Sequence, residues 1–234
     1  MRKKHEQSVI DGVYNAFHRV AHTRNRELVR CSMDGQDAIY GGDYIFTDSS
    51  RFLLVEFKYE ESDLCSEKKK DKRRTLCLRL DHEEVYRKLS LKCHYVAWST
   101  KRHTRTVLFN RYYPQICNQR VFGPTSGLSS KEPELAHRKE ADDIFEGFLD
   151  QKEGSTYYEF RKYTDWLSSL TGAGGVTDME LIMDDPKSNQ LKFLEFPSIE
   201  SFKLWMEYYS KDISNTKHND LEEPSEPDSF GPQI

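Results

Sequence analysis

Two acids and a base stand where they could do chemistry together: Asp43 in Gly42-Asp43-Tyr44-Ile45-Phe46, and Glu56 and Lys58 in Val55-Glu56-Phe57-Lys58. The apolar runs Tyr44 to Phe46 and Phe52 to Phe57 flank a turn-like Asp48-Ser49-Ser50-Arg51, which predicts a β-hairpin. If the hairpin turns between Ser49 and Ser50, Asp43 falls directly opposite Glu56. Opposed residues share one face of a sheet, with Cβ atoms roughly 4.5–5.5 Å apart. Two carboxylates so placed repel unless something positive lies between them, and hard divalent cations favour such oxygen clusters. Strand alternation puts Lys58 on the face of Glu56 and turns Phe57 into the core. In the same register Lys58 faces Gly41, where the missing side chain would leave room for a substrate backbone.

These residues need elements to hold them. From about Lys4 to Ala21, Val9, Ile10, Val13, Phe17 and Val20 keep a 3–4 spacing, which predicts an amphipathic helix with Glu6 in its first turn. The helix dipole alone explains an acid there, and Asp11 or Asp37 could take its place at the site. Beyond the hairpin, the basic run Lys68, Lys69, Lys70, Lys72, Arg73 and Arg74 leads into a helix expected over Leu78 to Leu89. Strand-like runs follow at His94 to Ser99 and Thr104 to Phe109, around the turn-like Thr100-Lys101-Arg102-His103. The order is helix, strands, helix, strands.

With that order, Gly42-Asp43 followed by Glu56-Phe57-Lys58, behind a helix bearing Glu6, resembles the PD-(D/E)XK nuclease superfamily, especially its restriction-endonuclease-like and Holliday-junction-resolvase-like branches. The likeness covers roughly residues 5 to 110. It implies an α/β (mixed α+β) fold, a mixed sheet flanked by helices. It implies that Asp43, Glu56 and the Phe57 carbonyl bind Mg²⁺ (or Mn²⁺), with Glu6 as accessory acid matched by position only. Lys58 would orient the attacking water. Gly42 stands where the superfamily usually has Pro. The Gln-x-x-x-Tyr helix motif of RecB-like members is absent, with His82 and Tyr86 at comparable spacing.

The rest of the chain bounds these expectations. Its 234 residues, 36% hydrophobic and 12% aromatic, suffice for one full domain and an appended module. The expected division is a nuclease-like domain over 1–122, a linker or long loop over 123–139, a smaller α+β module over 140–213 that is either separate or packed onto the first, and an acidic disordered tail over 214–234. In the module, Phe160 to Leu170 reads as a helix, Met179 to Met183 and Leu191 to Phe196 as a hairpin, and Ile199 to Tyr209 as a last helix. The aromatic residues near Trp166 and Trp205 fit core or partner contact better than base stacking. Gly172-Ala173-Gly174-Gly175 lacks the Lys-Ser/Thr of a phosphate loop and reads as a helix stop.

The net charge of −4 arises because an acidic end, Asp220 to Asp228, masks a basic body. The Lys68–Arg74 run, extended by Lys101, Arg102, His103 and Arg105, is the expected nucleic-acid surface. Five scattered cysteines fit neither a disulfide framework nor a zinc knuckle and are read as reduced thiols. The nearest soft-metal set, Cys77, His82, Cys93 and His94, has no common zinc spacing. The start, Met1 to Glu6, is charged, and no apolar run approaches a membrane span, so a cytoplasmic location without membrane contact is expected. The leading expectation is a metal-dependent endonuclease acting on DNA more than RNA, with antiviral defence or a mobile element as its setting by analogy. Residues 140–213 would contact a protein partner, and a homodimer would suit two-strand cutting. The alternative is an inactive nuclease-fold module that binds nucleic acid or protein.

Overall fold

The apolar run ahead of Glu56 is long and apolar on both of its faces, the pattern of a strand covered on two sides. In a computed structural model it is the central strand of a mixed α/β fold. The structure describes residues 5–33, 40–100, 105–170, 179–185, 190–198 and 200–208. The strands are β1 (Val29–Ser32), β2 (Tyr44–Thr47), β3 (Phe52–Glu60), β4 (His94–Ser99), β5 (Val107–Arg111), β6 (Lys139–Glu140), β7 (Met179–Asp185) and β8 (Gln190–Phe196). They form one sheet in the order β6-β5-β4-β3-β2-β1-β7-β8. Among the described residues β3 and β4 pair in parallel and the other pairs are antiparallel.

The helices are α1 (Glu6–Thr23), α2 (Asp71–His82), α3 (Glu84–Cys93), α4 (Tyr112–Ile116), α5 (Gln119–Phe122), α6 (Ala141–Leu149), α7 (Tyr157–Leu170) and a helical segment over 200–208. Alternation along β3 divides the core. Leu53, Val55 and Phe57 join Val9, Val13 and Phe17 of α1 and Phe145 and Phe148 of α6 on one side. Phe52 and Leu54 join Leu76 and Leu80 of α2 and Phe160 and Tyr163 of α7 on the other. Burying each such large side chain contributes about 1.5–3 kcal/mol, so these two layers hold the sheet between them. Glu56 and Lys58 have the parity of Phe52 and Leu54, which aims two charged groups into an apolar layer.

The hairpin register is the expected one: Tyr44 pairs with Val55, Ile45 with Leu54, Phe46 with Leu53 and Thr47 with Phe52. Its turn is set by Asp48, whose Oδ1 accepts from the backbone N–H groups of Ser50 and Arg51 at 3.0 Å each, while Ser49 takes φ +69. Arg26 pairs with the other oxygen of Asp48.

Several expectations are corrected. The helix expected over Leu78 to Leu89 is two helices parted at Glu83, whose carboxylate is bound by Arg79 and accepts from Trp166 Nε1 at 3.0 Å. Trp166 is a core residue, stacked on Tyr86 at 4.6 Å between ring centroids. The second strand is Val107–Arg111, with Arg105 and Thr106 outside it; Lys101 to Thr104 lie outside the described residues.

The stretch 123–138 is a long loop packed against the body, and position 139 already belongs to β6: Leu128 is buried, and Asn110 donates to the Glu134 carbonyl at 3.2 Å. Residues 140–213, as far as described, do not stand apart, since α6 and α7 fill both core layers and β7 pairs with β1 through Ser32 and Glu180. Two thiols expected to be free, Cys77 and Cys117, form a disulfide. The tail from 214, Ile199, Tyr209 and Gly172–Gly175 lie outside the described residues. Among the described residues no helix is long and apolar enough to cross a membrane.

Candidate active site

Asp43 precedes β2 and continues its pairing with β1, its carbonyl accepting from the Met33 N–H at 2.9 Å, but toward β3 it leaves the expected register: its N–H donates to the Val55 carbonyl at 2.9 Å, one residue short of Glu56. Its Oδ2 accepts from the Phe57 N–H at 2.6 Å. Burial raises its pKa from the ordinary aspartate value to about 7, and the Glu56 charge pushes the same way. Glycine at position 42 has a local reason, because a Cβ there would meet Leu54 Cδ1 at 2.6 Å.

Glu56 is fully buried and held by three cations. Oε1 binds Lys58, in very close contact, and Lys70 at 2.9 Å; Oε2 takes Arg73 Nη2 at 3.0 Å. Burial opposes its charge, yet Arg73, Lys58 and Lys70 more than offset that cost and hold its pKa well below the usual carboxylate range. Phe57 points to the other layer, among the rings of Tyr44, Phe46 and Phe109. Lys58 Nζ also donates to the Phe57 carbonyl at 3.0 Å and lies 3.2 Å from Glu67 Oε1.

Glu6 faces this cluster. Burial raises its pKa, and the charges of Lys58, Glu56, Lys70 and Glu67 act on it. Asp11 instead pairs with Arg30 at 3.2 Å and accepts from Gln7 at 2.9 Å on the exposed side of α1. Asp37 lies outside the described residues.

The basic run divides. Lys68, Lys69 and Lys72 are exposed; Arg74 is exposed but donates to the Ser126 carbonyl at 2.9 Å. Lys70 turns to Glu56. Arg73, expected at a nucleic-acid surface, is 1% exposed and spans Glu56 and Glu67, so it is corrected to an internal clamp. The room expected at Gly41 is also filled: a Cβ there would meet Arg73 Nη1 at 2.8 Å and His94 Cε1 at 3.0 Å, and φ is +80. His94 Nε2 bonds the Gly41 carbonyl at 2.8 Å, so that nitrogen carries the proton, and Nδ1 faces the Tyr163 hydroxyl at 2.9 Å. Burial lowers its pKa to about 3. Of the Cys77, His82, Cys93 and His94 set, Cys77 is thus oxidised and both ring nitrogens of His94 are engaged.

Sequence reasoning missed Glu67 and Tyr112. Glu67 ends up fully buried, its Oε2 bonded by Arg73 Nε at 3.1 Å and by the Tyr112 hydroxyl at 2.9 Å. Lying beside three lysines, it reads as solvated; the one available hint is Tyr112 after a strand, a ring with a polar tip that needs a buried partner.

The cluster thus gathers four acids, Glu6, Asp43, Glu56 and Glu67, against three bases, Lys58, Lys70 and Arg73. Among the described residues no three acid, His or Cys side chains form a ready-made cation cage. The donors nonetheless fit Mg²⁺ or Mn²⁺ by type: they are hard oxygens, and buried Glu67 Oε1 has no hydrogen-bond partner. No protein-family model, no curated protein and no solved structure matches the chain. Its class therefore rests on its own architecture, a mixed α/β fold with a charged cluster at the central strand.

Proposed function

We propose that this protein is a metal-dependent nuclease of the PD-(D/E)XK type, hydrolysing phosphodiester bonds in DNA more readily than in RNA. The observation that carries this reading is the Asp43 carboxylate bonded to the Phe57 N–H at 2.6 Å and within the field of Glu56 and Lys58, with Glu6 brought up by α1. Asp43, Glu56 and the Phe57 carbonyl would hold Mg²⁺, which when bound would polarise a phosphate oxygen and lower the pKa of a bound water. Lys58 would meet charge developing on the phosphorane and orient the water. Lys68, Lys69 and Lys72, exposed beside the site, would take up flanking phosphates, so binding weakens steeply with salt. A setting in defence or mobile elements, a cytoplasmic location, a protein partner at the C-terminal elements and a homodimer belong to the same reading, by analogy. The Cys77–Cys117 disulfide weighs against a reducing compartment.

A second reading, an inactive nuclease-like module that binds without cutting, is favoured by one observation: Glu56 is fully buried and satisfied by three internal cations. Incubation with plasmid, linear, single-stranded and RNA substrates in Mg²⁺ or Mn²⁺ separates the two. The nuclease reading expects cleavage that Asp43→Ala and Lys58→Ala each reduce by roughly 10²-fold or more. Cleavage that survives both substitutions discards the site, and Mg²⁺-dependent binding without turnover selects the second reading.

A further inference from the structure

Glu67 has no part in the reading above, yet it is among the most enclosed acids of the molecule. It sits on the 3-10 segment Glu61–Lys69, which follows β3, and it has no exposed surface. Its Oε2 is fixed from two sides, by Arg73 of α2 and by Tyr112 of α4, so the carboxylate keeps its orientation without help from Lys58. Its Oε1 points at Lys58 Nζ from 3.2 Å and at Lys70 Nζ from 3.6 Å, and neither contact has hydrogen-bond geometry.

The ammonium of Lys58 has three N–H donors and three oxygens around it: Glu56 Oε1, the Phe57 carbonyl and Glu67 Oε1. In the nuclease reading the first two are oxygens that a divalent cation claims. A buried ammonium that lost both, with nothing left to accept from it, would be pushed out of the site by the cost of an unpaired charge. We propose that Glu67 is a positioning residue that keeps the Lys58 ammonium at the site when Glu56 and the Phe57 carbonyl turn to a divalent cation. The inference rests on the nuclease reading. One N–H turns onto Glu67 Oε1, 3.2 Å away, and two are released toward the phosphate and the attacking water. Arg73 and Tyr112 act behind Glu67, holding its far oxygen.

The test follows the Lys58 side-chain ammonium by proton–nitrogen NMR in the full chain labelled with ¹⁵N-lysine, assigned by its loss in Lys58→Arg. Buried, hydrogen-bonded ammonium protons are shielded from exchange with water and give a resolved signal; released ones do not. Spectra are taken with and without Mg²⁺, with Mg²⁺ binding measured alongside by calorimetry. The wild-type chain is expected to bind Mg²⁺ and keep the signal. Glu67→Gln, which keeps the shape and removes the charge, is expected to keep it without Mg²⁺ and lose it with Mg²⁺. Tyr112→Phe is expected to keep it in both. For plasmid cleavage, Glu67→Gln should lower kcat by roughly 10–100-fold with KM little changed.

Loss of the signal from the wild-type chain on adding Mg²⁺ overturns the proposal without any variant, so a Glu67→Gln chain that does not fold leaves the proposal decidable. Equal loss from Glu67→Gln without Mg²⁺ overturns it too, by making Glu67 a purely structural acid. Failure of the wild-type chain to bind Mg²⁺ overturns the nuclease reading and this inference together, whereas the other two failures leave the nuclease reading standing.

Discussion

Asp43 and His94 lie near the same short loop, and their ionisation pulls stability in opposite directions. Asp43 is raised to about 7, so the native state holds a proton that the unfolded chain releases above about 4; its contribution is present at low pH and is lost as pH rises toward 7. His94 is lowered to about 3, so its contribution is present above about 6.5 and is lost as pH falls toward 3. Each acts with a slope of about 1.4 kcal/mol per pH unit in its window, so between about pH 4 and 6.5 the two largely cancel. Asp43→Asn is therefore expected to unmask the histidine slope, which urea denaturation at stepped pH in EDTA would record. At pH 8 the same variant should be more stable than wild type by about 2 kcal/mol, while calorimetry should find its Mg²⁺ binding lost. Equal pH slopes in the two proteins would refute the opposing-pair account.

At the scale of elements, α2 carries side chains of two kinds that look alike in sequence. Arg73 and Lys72 are neighbours in a basic run, but one is buried on two carboxylates and the other is exposed. Arg73→Met should destabilise the fold by about 3–5 kcal/mol, because it strands Glu56 and Glu67. Lys69→Ala should change stability by less than about 0.5 kcal/mol and act on nucleic-acid affinity instead. Comparable unfolding midpoints for the two would contradict the division.

The same contrast marks what could be read in advance. The hairpin register was legible because a period of two and an Asp-Ser-Ser turn leave one alignment that buries Leu53, Val55 and Phe57 together. The break at Glu83 was not, because its cause is Trp166, far along the chain. Glu67 and Arg73 were hidden for a related reason: hydropathy assigns charges to solvent, and only tertiary pairing brings them inside.

At the scale of the whole molecule, the N-terminal and C-terminal halves share both core layers. Phe160 and Tyr163 of α7 pack in the layer that contains Leu54 and Leu76, and Phe52 bonds Ser155 in both directions, at 3.0 and 3.1 Å. A chain ending at Leu149 is therefore expected to lose cooperative unfolding and bind a hydrophobic dye, where the full chain melts in one transition. A truncated chain that melted sharply would make the first part an independent unit.

The bond between Cys77 and Cys117 has a consequence beyond the two sulfurs. It spans a sequence separation of 40, enclosing β4, β5, α3 and α4 in one covalent ring. Closing such a ring removes conformations from the unfolded chain and favours the native state by about 4 kcal/mol in the chain-entropy account. That is a large share of the total stability of a domain. Cys77 lies one turn beyond Arg73 on α2, and Cys117 follows the helix that carries Tyr112, so the ring ties together the two elements that grip Glu67. The charge cluster at the centre of the sheet therefore inherits part of its rigidity from the oxidation state of a sulfur pair outside it.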